Sequence, residues 1–79
     1  MPAVYMERSD HSRNLARFYN VEIQPTLFGD WAVVRRWGRI GTHGRRQQDW
    51  FSSLSDAETA QVCTVSLKVR RGYALSLQE

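Results

Sequence analysis

Cysteine, histidine, proline and long apolar runs are all scarce in this sequence of 79 residues. The single cysteine, Cys63, excludes an internal disulfide, and with His11 and His43 it cannot supply the four ligands of a zinc site. No run of about 18 apolar residues is present, so we expect no membrane span. We therefore expect a single domain over residues 1–79, with no metal or cofactor, whose core relies on nine aromatic residues.

Lysine is nearly absent, since ten of the eleven basic residues are arginine. Arginine offers a planar fork that matches phosphate and carboxylate groups, although a genome rich in arginine codons would give the same count. Acidic residues are missing from residues 31–48, which contain five arginines, while the rest of the chain has six basic and eight acidic residues. This local excess of charge predicts an anion-binding surface, and the alternative is an incidental solvated hairpin.

Alternating apolar and polar residues predict short strands at residues 4–8, 18–23, 31–37 and 46–51. A turn at 25–30 and a glycine-containing loop at 38–44 separate the later strands. Consecutive strands with short connections favour an antiparallel sheet. We expect an α+β fold, a small antiparallel β-sheet of four to five strands with one α-helix packed on one face.

The predicted helix begins at Ser55 and ends before Gly72. Ser55 with Glu58 three residues later has the pattern of a capping box, and Gly72 follows basic residues that suit a last helical turn. Tyr73, Leu75 and Leu77 then alternate and can form a final short strand. Among the remaining core candidates, we expect Trp31, Trp50 and the helical Cys63 to be buried.

The loop at 38–44 gives a second reason to expect anion binding. Its glycines leave backbone N–H groups uncovered, and successive N–H groups can form a concave anion site. It is not a P-loop, because no Gly-Lys-Ser/Thr follows. Trp37 at the loop edge can stack on a sugar or base, or it can belong to the core. The candidate nucleic-acid-binding residues are Arg35, Arg36, Trp37, Gly38, Arg39, His43, Arg45 and Arg46.

No arrangement of residues indicates catalysis. His43 has no nucleophile beside it in the sequence, and a chain of this length leaves little room for a sheltered pocket. We expect a protein that is not an enzyme and has no small-molecule substrate. The N-terminus has no signal-peptide pattern, and one unpaired cysteine fits a reducing compartment, so we expect a cytoplasmic location.

Four sequence blocks, spread over residues 14–77, resemble one known family. They are Asn14 followed by Phe18-Tyr19-Asn20-Val21; Val34 with Trp37-Gly38-Arg39-Ile40-Gly41-Thr42 and Gly44; Ser55 with Ala57 and Ala60; and Lys68 with Arg71-Gly72-Tyr73. In this order they resemble the WGR domain, a module of DNA-damage-activated poly(ADP-ribose) polymerases and of small bacterial proteins. Arg45 departs from the pattern, since many members of the family have Gln there.

The resemblance implies a small antiparallel sheet with one packed helix that binds DNA near a strand break. It implies that Trp37 packs on the sugar of a terminal nucleotide and that Arg39 contacts phosphate or bridges to another domain. The expected function is therefore a nucleic-acid-binding module for DNA ends or breaks, with little base specificity. The alternative is a protein-interaction module that docks an acidic partner through the same arginines, because arginine suits carboxylate and phosphate alike.

Overall fold

A computed structural model describes residues 3–76. The elements are β1 (Ala3–Asp10), β2 (Leu15–Pro25), β3 (Trp31–Arg39), β4 (Arg45–Phe51), α1 (Leu54–Arg70) and β5 (Ala74–Ser76). A single turn of 3-10 helix (His11–Arg13) joins the first two strands. The five strands form one antiparallel sheet in the order β4-β3-β2-β1-β5.

The expected fold class is confirmed, with five strands and one helix on one side of the sheet. All four predicted strands form, and each is longer than its apolar alternation indicated. The final strand also forms as β5, although Leu77 lies outside the described residues. We call the side of the sheet under α1 the helix side and the other side the open side.

The helix begins two residues earlier than the sequence indicated. Ser53, not Ser55, is the N-cap, and its Oγ accepts a hydrogen bond from the backbone N–H of Asp56 at 3.1 Å. This earlier start places Leu54 in the first turn, where it packs against the core. Ser53 with Asp56 and Ser55 with Glu58 have the same spacing, so the cap pattern alone fits both starts. The packing of Leu54 on the core favours the earlier one.

The predicted end of the helix at Gly72 is confirmed. Gly72 adopts φ +99°, and its N–H donates to the carbonyl of Val69 at 3.0 Å. The N–H of Tyr73 donates to the carbonyl of Lys68, also at 3.0 Å. These two bonds form a Schellman motif, which turns the chain back so that Tyr73 enters the core.

The core lies between α1 and the middle strands of the sheet. Its buried members on the helix side are Met6, Tyr19, Val21, Ile23, Val33, Ala57 and Tyr73. The helix contributes few apolar side chains, and its buried Gln61 donates from Nε2 to the carbonyl of Val21 at 3.1 Å. A hydrogen bond of this kind removes most of the cost of burying an amide.

Two of the predicted buried residues are exposed. Cys63 is exposed, because it lies about 200° around the helix from the inward-facing Gln61. Trp50 is 61% exposed, because it pairs with Ala32 on the open side while its neighbour Phe51 packs on the core. Trp31 is half-buried against the core, which agrees with its prediction.

Candidate nucleic-acid interface

The alternation of β3 distributes Trp37, Gly38 and Arg39 over both sides of the sheet. Trp37 pairs with Tyr19 of β2 and lies on the helix side, where the two rings stack with centroids 5.8 Å apart and planes 16° apart. Gly38 pairs with Phe18 on the open side, and Arg39 returns to the helix side. The buried Tyr19 thus covers one face of the half-buried Trp37 ring.

Gly38 has no side chain because the following loop packs directly on it. A Cβ built on Gly38 would lie 2.8 Å from the Cα of Gly44. Gly44 has φ +68°, and a Cβ there would collide with the carbonyl oxygen of Trp37. The two glycines therefore allow residues 40–44 to fold back over the open side of β3.

Arg39 is held in place by Asn14. The Nη1 of Arg39 donates to the backbone carbonyl of Asn14 at 3.1 Å, and its Nη2 donates to the side-chain Oδ1 at 3.2 Å. Asn14 follows the turn His11–Arg13 in the left-handed conformation, with φ +52°. Both hydrogen bonds are exposed, so the guanidinium is oriented while it stays accessible.

Cations from several elements lie near Tyr19, the ring that stacks on Trp37. The Nζ of Lys68 lies 4.6 Å from the centre of the Tyr19 ring, and Tyr73 is also within reach at 5.8 Å. Burial lowers the pKa of Lys68, and the charges of Arg71, Arg17 and Arg35 lower it further. The three arginines that act on Lys68 lie on β2, on β3 and just after α1, so positive charge is concentrated at this end of the sheet.

This group, which we call the Trp37 surface, consists of Arg17, Trp37, Arg39, Arg45, Lys68 and Arg71. Arg45 belongs to it because it pairs with Trp37 across β3 and β4. Within residues 3–76, none of its five cations forms an ion pair. Arg35 is close by, but it is bound to Asp49, so its charge is compensated.

The other predicted residues lie elsewhere. Arg36 and Arg46 are directly paired on the open side, where Nη2 of Arg36 donates to the backbone carbonyl of His43 at 3.3 Å. His43 itself is exposed in the loop, and Gly38 has the packing role described above. The structure thus brings Trp37, Arg39 and Arg45 together and places Arg36 and Arg46 behind the sheet.

The prediction from sequence missed Arg17, Lys68 and Arg71, because it considered one continuous segment. Signals for them were present. Arg17 has the same parity along β2 as Tyr19, and Lys68 and Arg71 are three residues apart, which places them on one helix face. Only the register of β2 with β3 shows that Arg17 lies near Trp37, and only the packing of α1 on the sheet shows that Lys68 lies over Tyr19.

Residues 3–76 offer neither a membrane-spanning helix nor a cluster of metal ligands. No helix there is long and apolar enough to cross a membrane. The same part of the chain contains no group of three or more His, Cys, Asp or Glu side chains that can hold a metal ion.

Comparison with known proteins gives a family, a relative and a related structure. The sequence model of the WGR domain matches residues 3–79. The uncharacterized protein y4dW of Sinorhizobium fredii is 44% identical over 70 residues, which are 89% of this chain and 34% of that protein. A crystal structure of a Bacteroides fragilis protein superposes with a TM-score of 0.79 at 25% identity, over 96% of this chain and 20% of that one. The chain thus spans about a third and a fifth, respectively, of these proteins' lengths.

Proposed function

The chain belongs to the WGR domain family, and we propose that it binds DNA at ends or strand breaks through the Trp37 surface. The WGR domain is a nucleic-acid-binding type of domain in poly(ADP-ribose) polymerases. The proposed role here is likewise binding and not catalysis.

The observation that carries the proposal is the set of five cations without an acidic partner in residues 3–76, at the end of the sheet where Trp37 stacks on Tyr19. Arg17, Arg39, Arg45 and Arg71 are exposed, and Lys68 lies between them over Tyr19. Among the described residues they have no acidic partner, which leaves their charge available to an external anion. The surface combines phosphate-binding groups with a stacking ring, the two elements that recognise a nucleic-acid strand without reading its sequence.

The burial of Trp37 supports a preference for ends and breaks. Tyr19 stacks on it from within the domain, so only part of the ring is open to a ligand. A partly covered ring fixed on a sheet cannot enter the stack of an intact duplex. It can pack on a sugar or base that an end or a nick leaves exposed.

The placement of the helix supports low base specificity. The inner face of α1 packs on the sheet, and its contribution to the Trp37 surface is two cations near its C-terminus, Lys68 and Arg71. Contacts that such side chains make to phosphates carry no sequence information. No part of this surface resembles a recognition helix that enters the major groove.

An NMR titration tests the location of binding. Blunt, nicked and single-stranded DNA are added in turn, and the indole N–H signals of the three tryptophans are followed. The indole signal of Trp37 should shift most. Its shift per base pair should be larger with nicked or short blunt DNA than with a long duplex, in which ends are few. Trp50 is the internal control, since it is 61% exposed but lies on the open side. A larger shift of Trp50 would place binding on the wrong side and refute the proposal.

A matched pair of variants tests the role of charge. Arg71→Gln and Arg70→Gln remove the same charge from neighbouring positions, but Arg70 lies about 200° around the helix from Lys68. If all five cations contact phosphates, log Kd against log salt should have a slope of magnitude about 4.5 for duplex DNA, and Arg71→Gln should reduce it by about 0.9. Arg70→Gln should change it much less. Equal effects of the two variants would mean that only net charge matters.

Binding to an acidic protein through the same cations is the competing function. Polyglutamate tests it, because it offers carboxylates but has no sugar or base for Trp37. We expect Trp37→Ala to weaken DNA binding severalfold and to leave polyglutamate binding unchanged. If Trp37→Ala changes neither, while polyglutamate competes fully with DNA, the acidic partner is the better explanation.

A further inference from the structure

We propose that the open side of the sheet carries a second, separate site, a cleft lined by Arg36, with Arg46 paired beside it, that binds the phosphate group of a nucleotide. This site lies on the opposite side of β3 from Trp37. It does not depend on DNA binding at the Trp37 surface, and each of the two proposals can fail alone.

The cleft lies on a row of residues that are paired across all five strands. The row places an amide and two guanidinium groups side by side on the open side, and it consists of Ser76, Tyr5, Asn20, Arg36 and Arg46. Asn20 pairs with Arg36, and Arg36 pairs with Arg46. Neighbouring hydrogen-bond donors with two positive charges are the groups that commonly hold phosphate oxygens in proteins.

The pairing of Arg36 with Arg46 is unfavourable without an anion. Like charges directly opposite each other on neighbouring strands repel and destabilise the pair. Neither residue has an ion-pair partner within residues 3–76, and the contact of Arg36 is with the neutral carbonyl of His43. The neighbouring Arg35 differs, because Asp49 compensates it on the helix side. A bound phosphate would remove the repulsion between Arg36 and Arg46.

The space beside Arg36 suits a small ligand. The cleft has a volume of about 220 Å³ and is lined by Tyr5, Phe18, Asn20, Arg36, Gly41 and Thr42. Typical ligand sites have about 300–1,000 Å³, so this cleft suits a ligand no larger than a mononucleotide. One wall is the loop that packs on Gly38, and the other is the Tyr5 ring, which stacks on Phe18 with centroids 6.2 Å apart.

The two ends of the cleft have opposite polarity. At the end away from the arginines, the Tyr5 hydroxyl donates to Oε2 of Glu7 at 2.9 Å. Burial and this carboxylate raise the pKa of Tyr5, so the hydroxyl keeps its proton. A ligand that is anionic at one end and rich in N–H donors at the other matches this arrangement. A nucleotide has that chemistry, whereas an acidic peptide would meet the carboxylate of Glu7.

The experiment uses the whole chain with four probes: inorganic phosphate, adenosine monophosphate, adenosine, and a short single-stranded oligonucleotide without terminal phosphates. Binding is read from the side-chain amide of Asn20 and the Nε–H of Arg36. Adenosine monophosphate should shift both signals and leave the Trp37 indole unchanged, phosphate should shift them more weakly, and adenosine should not. A shift with the oligonucleotide would assign the site to backbone phosphates, and its absence would assign it to free nucleotides.

Arg36→Gln and Arg46→Gln should each weaken binding of adenosine monophosphate about tenfold, because each removes a charge-assisted hydrogen bond. Both residues are exposed, so the fold should tolerate these changes, and the Asn20 signal reports binding in both variants. Arg70→Gln is the control of equal charge and should stay within twofold of the original chain. No shift of Asn20 at millimolar nucleotide, or equal binding by Arg36→Gln and Arg70→Gln, would overturn the proposal.

Discussion

Replacing Gly44 by alanine should destabilise the protein by about 2–4 kcal/mol, because two unfavourable effects add. Gly44 has φ +68°, a left-handed conformation that costs about 1–2 kcal/mol for a residue with a Cβ. The new Cβ would collide with the carbonyl oxygen of Trp37 and lie 3.0 Å from Cζ of the buried Phe18.

The collision with Trp37 involves backbone atoms, which cannot rotate away as a flexible side chain can. Overpacking of this kind costs about 1–3 kcal/mol. Alanine also restricts the unfolded chain, which offsets about 0.4–1 kcal/mol of the loss. For 79 residues the total stability is roughly 4–12 kcal/mol, so the variant should lose a large share of its stability.

Urea unfolding followed by tryptophan fluorescence measures the effect. With a slope of about 1 kcal/mol per molar urea, the midpoint should fall by roughly 2–4 M. Gly29→Ala is the matched control, since Gly29 also has a positive φ, +88°, but its added Cβ would meet nothing within 4 Å. The reasoning is refuted if Gly44→Ala is no more destabilising than Gly29→Ala, because then the contact with Trp37 costs nothing.

Three further predictions concern the same region. Gly38→Ala should lower the free energy of unfolding by about 1–2 kcal/mol, which is less than for Gly44→Ala, because its Cβ meets the Cα of Gly44 at 2.8 Å but Gly38 has no positive φ. Urea unfolding tests this, and an unchanged midpoint contradicts it. Lys68 is the chain's only lysine, so NMR of its ε-methylene can follow its pKa, which should lie below 10.5 in the free protein and rise when DNA binds. DNA binding should therefore weaken as the pH rises through the pKa of Lys68. An unchanged pKa of Lys68 at saturating DNA contradicts this prediction. Asp49→Asn frees Arg35 and should strengthen DNA binding, with a salt slope steeper by up to about 0.9, whereas Asp56→Asn at the start of the helix should have less effect.

The fold could be predicted because its signals are local. Alternation along β2 and β3 places Val21 and Val33 in the core, and Gly72 ends the helix through its own backbone conformation. The start of the helix was misplaced because Ser53 and Ser55 offer similar caps, and only the packing of Leu54 selects between them. Cys63 was misplaced because the helix has little apolar periodicity to show which side faces the sheet.

The candidate site could be predicted only in part because it depends on contacts between distant residues. Arg35 and Arg36 are adjacent in the sequence but lie on opposite sides of β3, so a local count of charge joins two surfaces that the sheet separates. Arg17 reaches Trp37 through the register of β2 with β3, and Lys68 through the packing of α1. The hydrophobic pattern of the strands and the geometry of the turns set that register, and composition contains no information on it.

The three residues that name the family have three different physical roles here. Trp37 and Arg39 lie on the helix side, and Gly38 between them faces the open side. Trp37 needs the support of Tyr19, and Arg39 needs the two acceptors of Asn14. Gly38 needs only the absence of a side chain, because Gly44 occupies that space. The loop that rests on Gly38 also forms a wall of the cleft beside Arg36, and its Gly44 touches the backbone of Trp37. A change that lifts this loop should therefore disturb both proposed sites together, whereas changes at Arg71 or Arg46 should each affect one site.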